Sequence, residues 1–263
     1  MIDTVPDILA RIVARKREDF AQARTDRPAL ERRAEESRAG RRVFRSALLG
    51  RAPAIIGEIK KASPSKGMLC DHFDPVSLAS QYEQGGAAAI SVLTDEPFFQ
   101  GSLDHLSSAR AAVSLPALRK DFTLDDYHVV EAAAHGADAV LLIAAILDEK
   151  QIRDLRELAA RFGMDAVVEV HSPRELHAAL AAGADIIGVN NRDLKTFEVT
   201  LDTSLRMAGE IPSGVVKLSE SGIHSHADVQ RLQDAGFQAF LVGEHLIKSE
   251  NPVAALRALI GAA

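Results

Sequence analysis

Short apolar runs recur along the chain after Pro53, and alanine- and leucine-rich amphipathic stretches separate them. The short runs have the length of buried strands, whereas the longer stretches have the spacing of helices that pack one apolar face. The predicted strands are residues 54–60, 87–94, 115–120, 139–143, 165–170, 185–190, 215–220 and 238–243. Eight strands that alternate with helices through short connections indicate either an open doubly wound sheet or a closed (β/α)8 TIM barrel.

The barrel is favoured by the number of units and by the turn after the first strand, which lacks a Gly-x-Gly-x-x-Gly sequence. Several predicted helices end in a glycine just before the next strand, as expected where a left-handed residue closes a helix. These glycines are Gly86, Gly136, Gly163, Gly183 and Gly236. We expect one α/β domain over residues 1–263, with an N-terminal helical extension at 1–48 and the barrel at 54–263.

The extension is predicted to be helical from residue 5 onward, with an apolar stripe formed by Ile8, Leu9, Ile12 and Val13. Charges of both signs at helical spacing fill residues 31–38, which is typical of a solvated helix face rather than of a binding tail.

The composition and charge of the chain argue against several classes of protein, including nucleic-acid-binding, secreted and membrane proteins. The chain of 263 residues is 47% hydrophobic and carries a net charge of −6, so long-range attraction of nucleic acid is not expected. Its single cysteine, Cys70, excludes an intramolecular disulfide. The first residues resemble no secretion signal, and no apolar run is long enough to span a membrane. We therefore expect a cytoplasmic protein without a membrane or nucleic-acid partner.

Charged and amide side chains occur at the carboxyl ends of several predicted strands, where a barrel places its catalytic groups. A single pair of this kind could be a structural ion pair, but the repetition at one rim favours a catalytic site. Glu169 stands alone in an apolar strand and is expected to have a raised pKa that suits a general acid or base. The candidate catalytic residues are Glu58, Lys60, Lys120, Glu169, Asn190 and Glu220.

The loops at this rim supply candidates for ligand binding. Ser221 and Gly222 after the seventh strand and Gly243 after the eighth fit the phosphate site that barrels build from their last two loops. Phenylalanines at 98, 99 and 122 suit either the core or a wall for an aromatic ring. The polar residues 63–67 are predicted to cover the rim, with Lys66 contributing charge. His224 and His226 could bind a metal, but solvated loop histidines are the favoured interpretation, and no metal site is predicted.

Four segments carry a family resemblance: Glu-Ile-Lys-Lys-Ala-Ser-Pro-Ser-Lys-Gly at 58–67, Leu-Arg-Lys-Asp-Phe at 118–122, Gly-Val-Asn-Asn-Arg-Asp-Leu at 188–194 and Ser-Glu-Ser-Gly-Ile at 219–223. Together they resemble the indole-3-glycerol-phosphate synthase family of tryptophan biosynthesis. The match spans nearly the whole chain and includes the helical extension. Because the sequence stops at Ala263, it resembles the single-function form, and we expect a monomer.

The resemblance implies that 1-(2-carboxyphenylamino)-1-deoxyribulose 5-phosphate closes to an indole with loss of carbon dioxide and water, without a cofactor or metal. Lys120 would be the general acid on the ketone oxygen, and Glu169 would serve in the later dehydration. Lys60 would hold the substrate carboxylate or share the acid role, an alternative that the sequence leaves open. Glu58 and Asn190 would orient the lysines and the substrate hydroxyls, with Glu220 in support.

The resemblance also assigns binding roles. Ser221, Gly222 and Gly243 would bind the phosphate, and Arg192 and Ser63 would assist at the anionic groups. The aromatic ring of the substrate would pack on Phe98 and Phe122. Some family members carry a serine where this chain has Glu244, so the Glu244 carboxylate must point away and only its backbone N–H is a candidate phosphate donor.

Two alternatives are kept. One is a different phosphosugar barrel similar to phosphoribosylanthranilate isomerase, which would share the phosphate end. The other is a barrel that binds phosphate without catalysis. The set of Lys60, Lys120 and Glu169 argues against the isomerase, and the intact strand-end charges argue against the loss of catalysis.

Overall fold

The structure is a computed structural model that describes residues 7–22, 27–64, 66–70 and 72–262. The predicted helix start at residue 5 and Ser65 of the predicted cover lie outside the described residues.

A closed barrel of eight parallel strands forms the body of the molecule. The strands are β1 (Ala54–Ile59), β2 (Ala89–Leu93), β3 (Ala117–Lys120), β4 (Ala139–Ile143), β5 (Asp165–Val170), β6 (Ile186–Asn190), β7 (Val216–Glu220) and β8 (Ala239–Val242). The barrel closes because β1 pairs with β2 on one side and with β8 on the other, with Ile56 opposite both Ala89 and Leu241. The TIM barrel is confirmed, and each observed strand lies within its predicted range.

Helices cover the outside of the barrel and one of its ends. The extension contains helices Asp7–Gln22, Arg27–Glu36 and Phe44–Leu49 and a 3-10 turn at Ser37–Gly40. The barrel helices are Pro75–Gly85, Glu96–Phe99, Leu103–Ala112, Asp126–Ala134, Glu149–Arg161, Pro173–Ala181, Asp202–Met207, His226–Asp234, Glu244–Ile247 and Pro252–Ile260, with a 3-10 turn at Ala208–Glu210. A small hairpin pairs Ala62–Ser63 with Gly67–Met68. Within the described residues no helix is both long and apolar enough to cross a membrane.

Local sequence signals set the helix boundaries. Asp74, Ser102 and Ser172 each accept a hydrogen bond from a backbone N–H of the first helical turn, which satisfies a donor that has no partner within the helix. At the other end, Gly86 has a φ of 95° and closes helix Pro75–Gly85 in the left-handed conformation. All five glycines predicted to close helices have positive φ, so this prediction is confirmed.

Core packing around β1 determines the position of Glu58, the first of the candidate catalytic residues along the chain. Ile55, Ile56 and Ile59 of β1 are fully buried, because helices cover one face of the strand and the barrel interior covers the other. At Gly57 the absent Cβ leaves room for the buried ring of Tyr82, whose hydroxyl donates to the backbone oxygen of Glu58 at 3.2 Å. Close packing of helix Pro75–Gly85 therefore fixes the backbone at the end of β1.

The helical extension packs on the barrel through apolar and charged contacts. Leu9, Ile12 and Val13 are buried, as the apolar stripe predicted. Arg27 forms a bidentate pair with Asp126, and the Arg41 guanidinium donates to the backbone oxygens of Ala137 and Phe162. Most side chains of residues 31–38 are exposed, which confirms the solvated face.

Lys217 lies on the outer face of β7. Because side chains alternate along the strand, it cannot pair with a group inside the barrel. Its Nζ donates to the backbone oxygen of Ala208 at 2.5 Å. The lysine therefore has a structural partner on the helix side of the sheet.

Candidate active site

A cavity of about 500 Å³ opens at the carboxyl ends of the barrel strands. Every strand contributes to its lining, either with its last residues or with the loop that follows. The lining contains all predicted site residues except one: Glu58, Lys60, Ser63, Lys120, Phe122, Glu169, Asn190, Arg192, Glu220, Ser221, Gly222, Gly243 and Glu244. A cavity in this position is where barrel enzymes carry their active sites.

Lys120 lies among the carboxylates at the end of β3. Its Nζ is 3.3 Å from Glu169 Oε2 and 3.6 Å from Glu220 Oε2. Burial lowers the pKa of this ammonium, but the carboxylates of Glu169, Glu220 and Glu58 raise it by more, so the net pKa is raised. Lys120 is therefore a charged proton donor that faces the cavity between two acids.

Glu58 and Lys60 form a second ion pair at the end of β1, with Lys60 Nζ 2.6 Å from Glu58 Oε1. Side chains two positions apart in an extended strand lie on the same face, which allows this contact. Burial raises the pKa of Glu58, but Lys60 and Lys120 lower it by more, so the net pKa is lowered. Gly243 makes room for this carboxylate, because a Cβ at that position would overlap Glu58 Oε1.

Glu169 does not have the raised pKa that its apolar strand predicts, and this prediction is wrong. Burial does raise its pKa, but Lys120, His171 and Asn190 together lower it by more, and the net pKa falls below the usual range. His171 Nε2 is 3.3 Å from Glu169 Oε1. The carboxylate is therefore ionised at neutral pH, because the tertiary fold surrounds it with cations and a hydrogen-bond donor.

The raised pKa belongs to Glu220. Burial raises its pKa, Lys120 opposes this, and the neighbouring carboxylates of Glu169 and Glu58 raise it again, to about 8. Its Oε1 packs where a Cβ at Gly188 would lie and makes no hydrogen bond to the described residues. Glu220 is therefore largely protonated at neutral pH, and it is the acid whose environment suits proton donation.

His171 is a part of the site that sequence reasoning missed. Besides its contact with Glu169, its Nδ1 is 3.2 Å from Glu175 Oε2. Burial lowers the pKa of His171, but hydrogen bonds to Glu169 and Glu175 raise it to about 10. The available signal was its position two residues after Glu169, which puts both side chains on the same face of an extended segment.

An amide connects the last strands at the predicted phosphate end. Asn190 Oδ1 accepts from Ser221 Oγ at 2.9 Å and from the Arg192 backbone N–H at 3.0 Å. Ser221 and Gly222 both have positive φ, 67° and 78°. A Cβ at Gly222 would also lie 2.5 Å from Val199 Cγ1, so glycine is needed at this turn.

Glu244 lines the cavity, and its side chain makes two ion pairs. Its carboxylate is engaged by Lys248 Nζ at 2.7 Å and by Lys66 Nζ at 3.4 Å. Hydrogen bonding to Lys248 is the main cause of its lowered pKa. The contact with Lys66 also links the loop after β1 to the loop after β8, so the predicted cover reaches the end of the cavity where the sequence predicts a phosphate site.

The aromatic wall is formed by Phe99 and Phe122, whose ring centroids are 6.1 Å apart. The prediction of Phe98 is corrected, because Phe98 is not among the cavity-lining residues. Successive residues of helix Glu96–Phe99 point about 100° apart, and of these two adjacent rings it is Phe99 that lines the cavity. The sequence alone does not indicate which of the two adjacent phenylalanines, Phe98 or Phe99, lines the cavity.

The N-terminal helix also borders the cavity, which sequence reasoning missed. Ile8, Leu9 and Ile12 add apolar surface to the cavity. The same helix carries Lys16, whose Nζ is 2.5 Å from Asp121 Oδ1 and 3.4 Å from Asp95 Oδ2. The apolar stripe predicted a packed helix, but its place over the barrel mouth depends on tertiary contacts.

The histidines considered as metal ligands face different surroundings. His226 Nδ1 is 2.9 Å from the Leu259 backbone oxygen, whereas His224 lines the cavity against His245. In the part of the chain that the structure describes, no group of three or more His, Cys, Asp or Glu side chains is arranged to hold a metal ion.

Comparisons with known proteins agree with this geometry. The family model for indole-3-glycerol phosphate synthase matches residues 9–259. The chain is 49% identical over 262 residues to indole-3-glycerol phosphate synthase from Koribacter versatilis, covering 98% of this chain and 96% of that protein. It is 52% identical over 244 residues to the protein of the same name from Desulfotalea psychrophila, covering 92% and 94% respectively.

Solved structures of lower sequence identity share the fold. A structure of 3-hexulose-6-phosphate synthase matches with a TM-score of 0.65 at 17% identity, over 80% of this chain and 99% of that one. Thiamine phosphate pyrophosphorylase from Pyrococcus furiosus matches with a TM-score of 0.61 at 17% identity, over 80% and 95% respectively. At this identity the likeness is one of barrel architecture alone.

Proposed function

The chain belongs to the indole-3-glycerol phosphate synthase family, and from that premise we propose which of its side chains carry out each part of the reaction. The enzyme closes 1-(2-carboxyphenylamino)-1-deoxyribulose 5-phosphate to indole-3-glycerol phosphate, with loss of carbon dioxide and water, in tryptophan biosynthesis. The reaction needs a proton donor for the ketone oxygen, proton transfer during dehydration, and cationic or N–H donors for two anionic substrate groups.

Lys120 is assigned the first proton transfer. As the ring carbon that bears the carboxylate attacks the ketone carbon, the ketone oxygen gains negative charge, and the Lys120 ammonium donates a proton to it. The single observation that carries this assignment is the position of Lys120 Nζ, which lies 3.3 Å and 3.6 Å from two carboxyl groups at the cavity wall. Both groups hold the ammonium in place, and the ionised Glu169 keeps it charged before the substrate reacts.

Loss of carbon dioxide then restores the aromatic ring, and dehydration completes the indole. Glu169 is assigned to proton transfer in the dehydration, because it is ionised and 3.3 Å from Lys120 Nζ. Glu220 supports this step as a protonated acid on the other side of Lys120. Glu220 can pass its proton to Lys120 and so restore the positive charge that Lys120 loses in the first step.

Lys60 is assigned to the substrate carboxylate and Glu58 to the orientation of Lys60. The Lys60–Glu58 pair lies at the end of β1, and Ser63 belongs to the loop that follows. Asn190 is assigned to the substrate hydroxyls, because its side chain lies in the cavity between the charged groups and the last two loops.

The phosphate is assigned to the opposite end of the cavity, at Ser221, Gly222, Gly243 and the backbone N–H of Glu244, with Arg192 nearby. The aromatic ring is assigned to Phe122 and Phe99, with Phe99 replacing Phe98 of the sequence prediction. The substrate would then lie with its ring toward β2 and β3 and its phosphate toward β7 and β8.

The test is direct turnover. Purified protein is incubated with the carboxyphenylamino-deoxyribulose phosphate while indole fluorescence is recorded. Formation of indole-3-glycerol phosphate supports the assignment, and folded protein that forms none would overturn it.

We further propose that the enzyme acts in the cytoplasm as a monomer, without a membrane or nucleic-acid partner, and that the extension and barrel form one domain. The net charge of −6 supports the absence of a nucleic-acid partner. The buried contacts of Lys16 with the barrel support the single domain. Light scattering of the purified protein tests the oligomeric state.

A further inference from the structure

Two histidines occupy matching positions in the loops after the last two strands. His224 follows Gly222 by two residues, and His245 follows Gly243 by two residues. Both side chains line the active-site cavity. Their ring centroids are 6.1 Å apart and the rings meet nearly edge to face, at 75°. The roles proposed above leave both rings without a task.

We propose that His224 and His245 form an imidazole pair that binds the substrate phosphate and favours its dianion. This rests on the proposed function, which places the phosphate at the glycines of these two loops. A phosphate monoester loses its second proton near pH 6, in the range where imidazole titrates. An imidazolium that donates N–H to a phosphate oxygen makes a charge-assisted hydrogen bond, which is stronger than a neutral one.

The rings are available for such a bond. In the described part of the chain, neither His224 nor His245 makes a side-chain hydrogen bond to the protein, whereas the nearby His226 is held by the Leu259 backbone oxygen. His224 is exposed and His245 is half-buried, so both can be reached from the cavity. The pair therefore offers N–H groups to a ligand without breaking existing contacts.

The acids near the pair are already engaged. Asp228 Oδ2 accepts from the backbone N–H groups of His224 and Ser225, at 3.0 Å and 2.9 Å. The Glu244 carboxylate, beside His245 in the sequence, is held by Lys248 and Lys66. Phosphate would thus meet two imidazoles and Lys66, which also lines the cavity, with both carboxylates directed to other partners.

Proton uptake follows from the charges around the pair. Burial and the neighbouring His224 ring lower the pKa of His245, and Asp228 raises it only in part. Without a ligand His245 is therefore less readily protonated than a free histidine. A bound dianion reverses this balance, so phosphate binding is expected to draw a proton onto the pair and to strengthen as the pH falls toward 6.

Steady-state kinetics test the pair in the whole enzyme. His224→Gln, His245→Gln and the double variant are compared with wild type at pH 6, 7 and 8. We expect KM to rise about 3- to 10-fold at pH 6 in each single variant, as for loss of one charge-assisted bond at a partly exposed site, with kcat within about twofold. The KM ratio to wild type should shrink toward one by pH 8. The matched control is His177→Gln, whose side chain is 71% exposed and does not line the cavity.

Binding of inorganic phosphate tests the histidine pair independently of the proposed function. Its binding to wild type and to the double variant is measured by titration calorimetry at the same pH values. Weaker binding by the double variant at pH 6 supports the pair, whether or not the enzyme turns over the substrate. Equal binding and equal KM in an enzyme that forms product overturn the pair and leave the proposed function standing. A wild type that binds phosphate through the pair but forms no indole overturns only the proposed function.

Discussion

At the scale of single residues, the active site is organised by the charge of Lys120. Three buried acids lie around it, and each responds differently: the pKa of Glu58 and of Glu169 is lowered, whereas that of Glu220 is raised to about 8. The difference arises because Glu58 and Glu169 have further partners in Lys60 and His171, while one oxygen of Glu220 makes no hydrogen bond to the described residues. Similar side chains at one rim thus acquire different protonation states.

Replacement of Lys120 should abolish most turnover without unfolding the enzyme. We expect Lys120→Ala to lower kcat about 100-fold or more, as for loss of a general acid. Indole fluorescence at saturating substrate measures the effect, and circular dichroism checks the fold. Lys150→Ala is the control, because Lys150 is exposed and pairs with Asp154 on its own helix. Turnover of Lys120→Ala within about threefold of wild type would contradict the acid role.

The sequence predicted the positions of these residues but not their protonation. Alternation along β1, β3 and β5 was enough to place Glu58, Lys120 and Glu169 at one rim. The pKa of Glu169 could not be predicted from its apolar neighbours in the chain, because Lys120 and Asn190 approach from other strands. His171 was missed for the same reason, since its importance comes from its contacts with Glu169 and Glu175.

At the scale of elements, the strands and helices could be predicted because the local sequence pattern determines each of them. The direction in which a short helix presents its side chains depends instead on the elements that pack against it. Helix Glu96–Phe99 is a single turn with an exposed N-terminal half. Its direction is set by Asp95, which accepts from the Phe98 backbone N–H and is itself held by Lys16. The choice of Phe99 over Phe98 therefore depends on a residue of the N-terminal helix.

The two adjacent phenylalanines provide a matched pair of variants. Phe99→Leu should raise KM about 3- to 10-fold, because the substrate ring loses an aromatic contact worth about 0.5–1.5 kcal/mol. Phe98→Leu should leave KM within about twofold, since Phe98 does not line the cavity. KM is measured by indole fluorescence for both variants. The reverse ranking would restore Phe98 as the ring contact.

Lys16 connects the N-terminal helix to the barrel mouth. Its ammonium neutralises Asp121 and Asp95, two nearly buried carboxylates at the ends of β3 and β2. Lys16→Met should lower the free energy of unfolding by about 2–4 kcal/mol, because the nearly buried Asp95 loses its cation and Asp121 keeps Arg119 but loses its second cation. KM should also rise, since Ile8, Leu9 and Ile12 of the same helix border the cavity.

Arg15→Met is the control for the loss of one cation from this helix. Arg15 pairs with Asp19 one turn along the helix, and both side chains are exposed. Its loss should change the free energy of unfolding by less than about 0.5 kcal/mol. Urea unfolding compares the two variants, and equal effects would show that Lys16 has no special role at the barrel mouth.

At the scale of the whole molecule, the site's buried charges make the stability of the fold depend on pH. Glu58, Glu169 and Asp121 have lowered pKa values because nearby cations outweigh the effect of burial. The unfolded chain therefore binds more protons at these groups, and their stabilisation is present above the ordinary carboxyl pKa and is lost as the pH falls. Glu220 and His171 act in the opposite direction, because the native state keeps their protons up to about pH 8 and pH 10 respectively.

Stability should therefore pass through a maximum near pH 5. Above it, the contribution of Glu220 is lost between its ordinary pKa of 4.5 and about 8, and that of His171 is lost between about 6.5 and 10. Urea unfolding from pH 4 to pH 9 measures this curve. In Glu220→Gln the side chain keeps an oxygen that can accept from Lys120 but cannot ionise. The free energy of unfolding of this variant should therefore fall less between pH 5 and pH 9 than that of wild type, by on the order of 2 kcal/mol. An identical alkaline decline in both proteins would show that Glu220 is already ionised in the native enzyme and is not the protonated acid proposed for the dehydration.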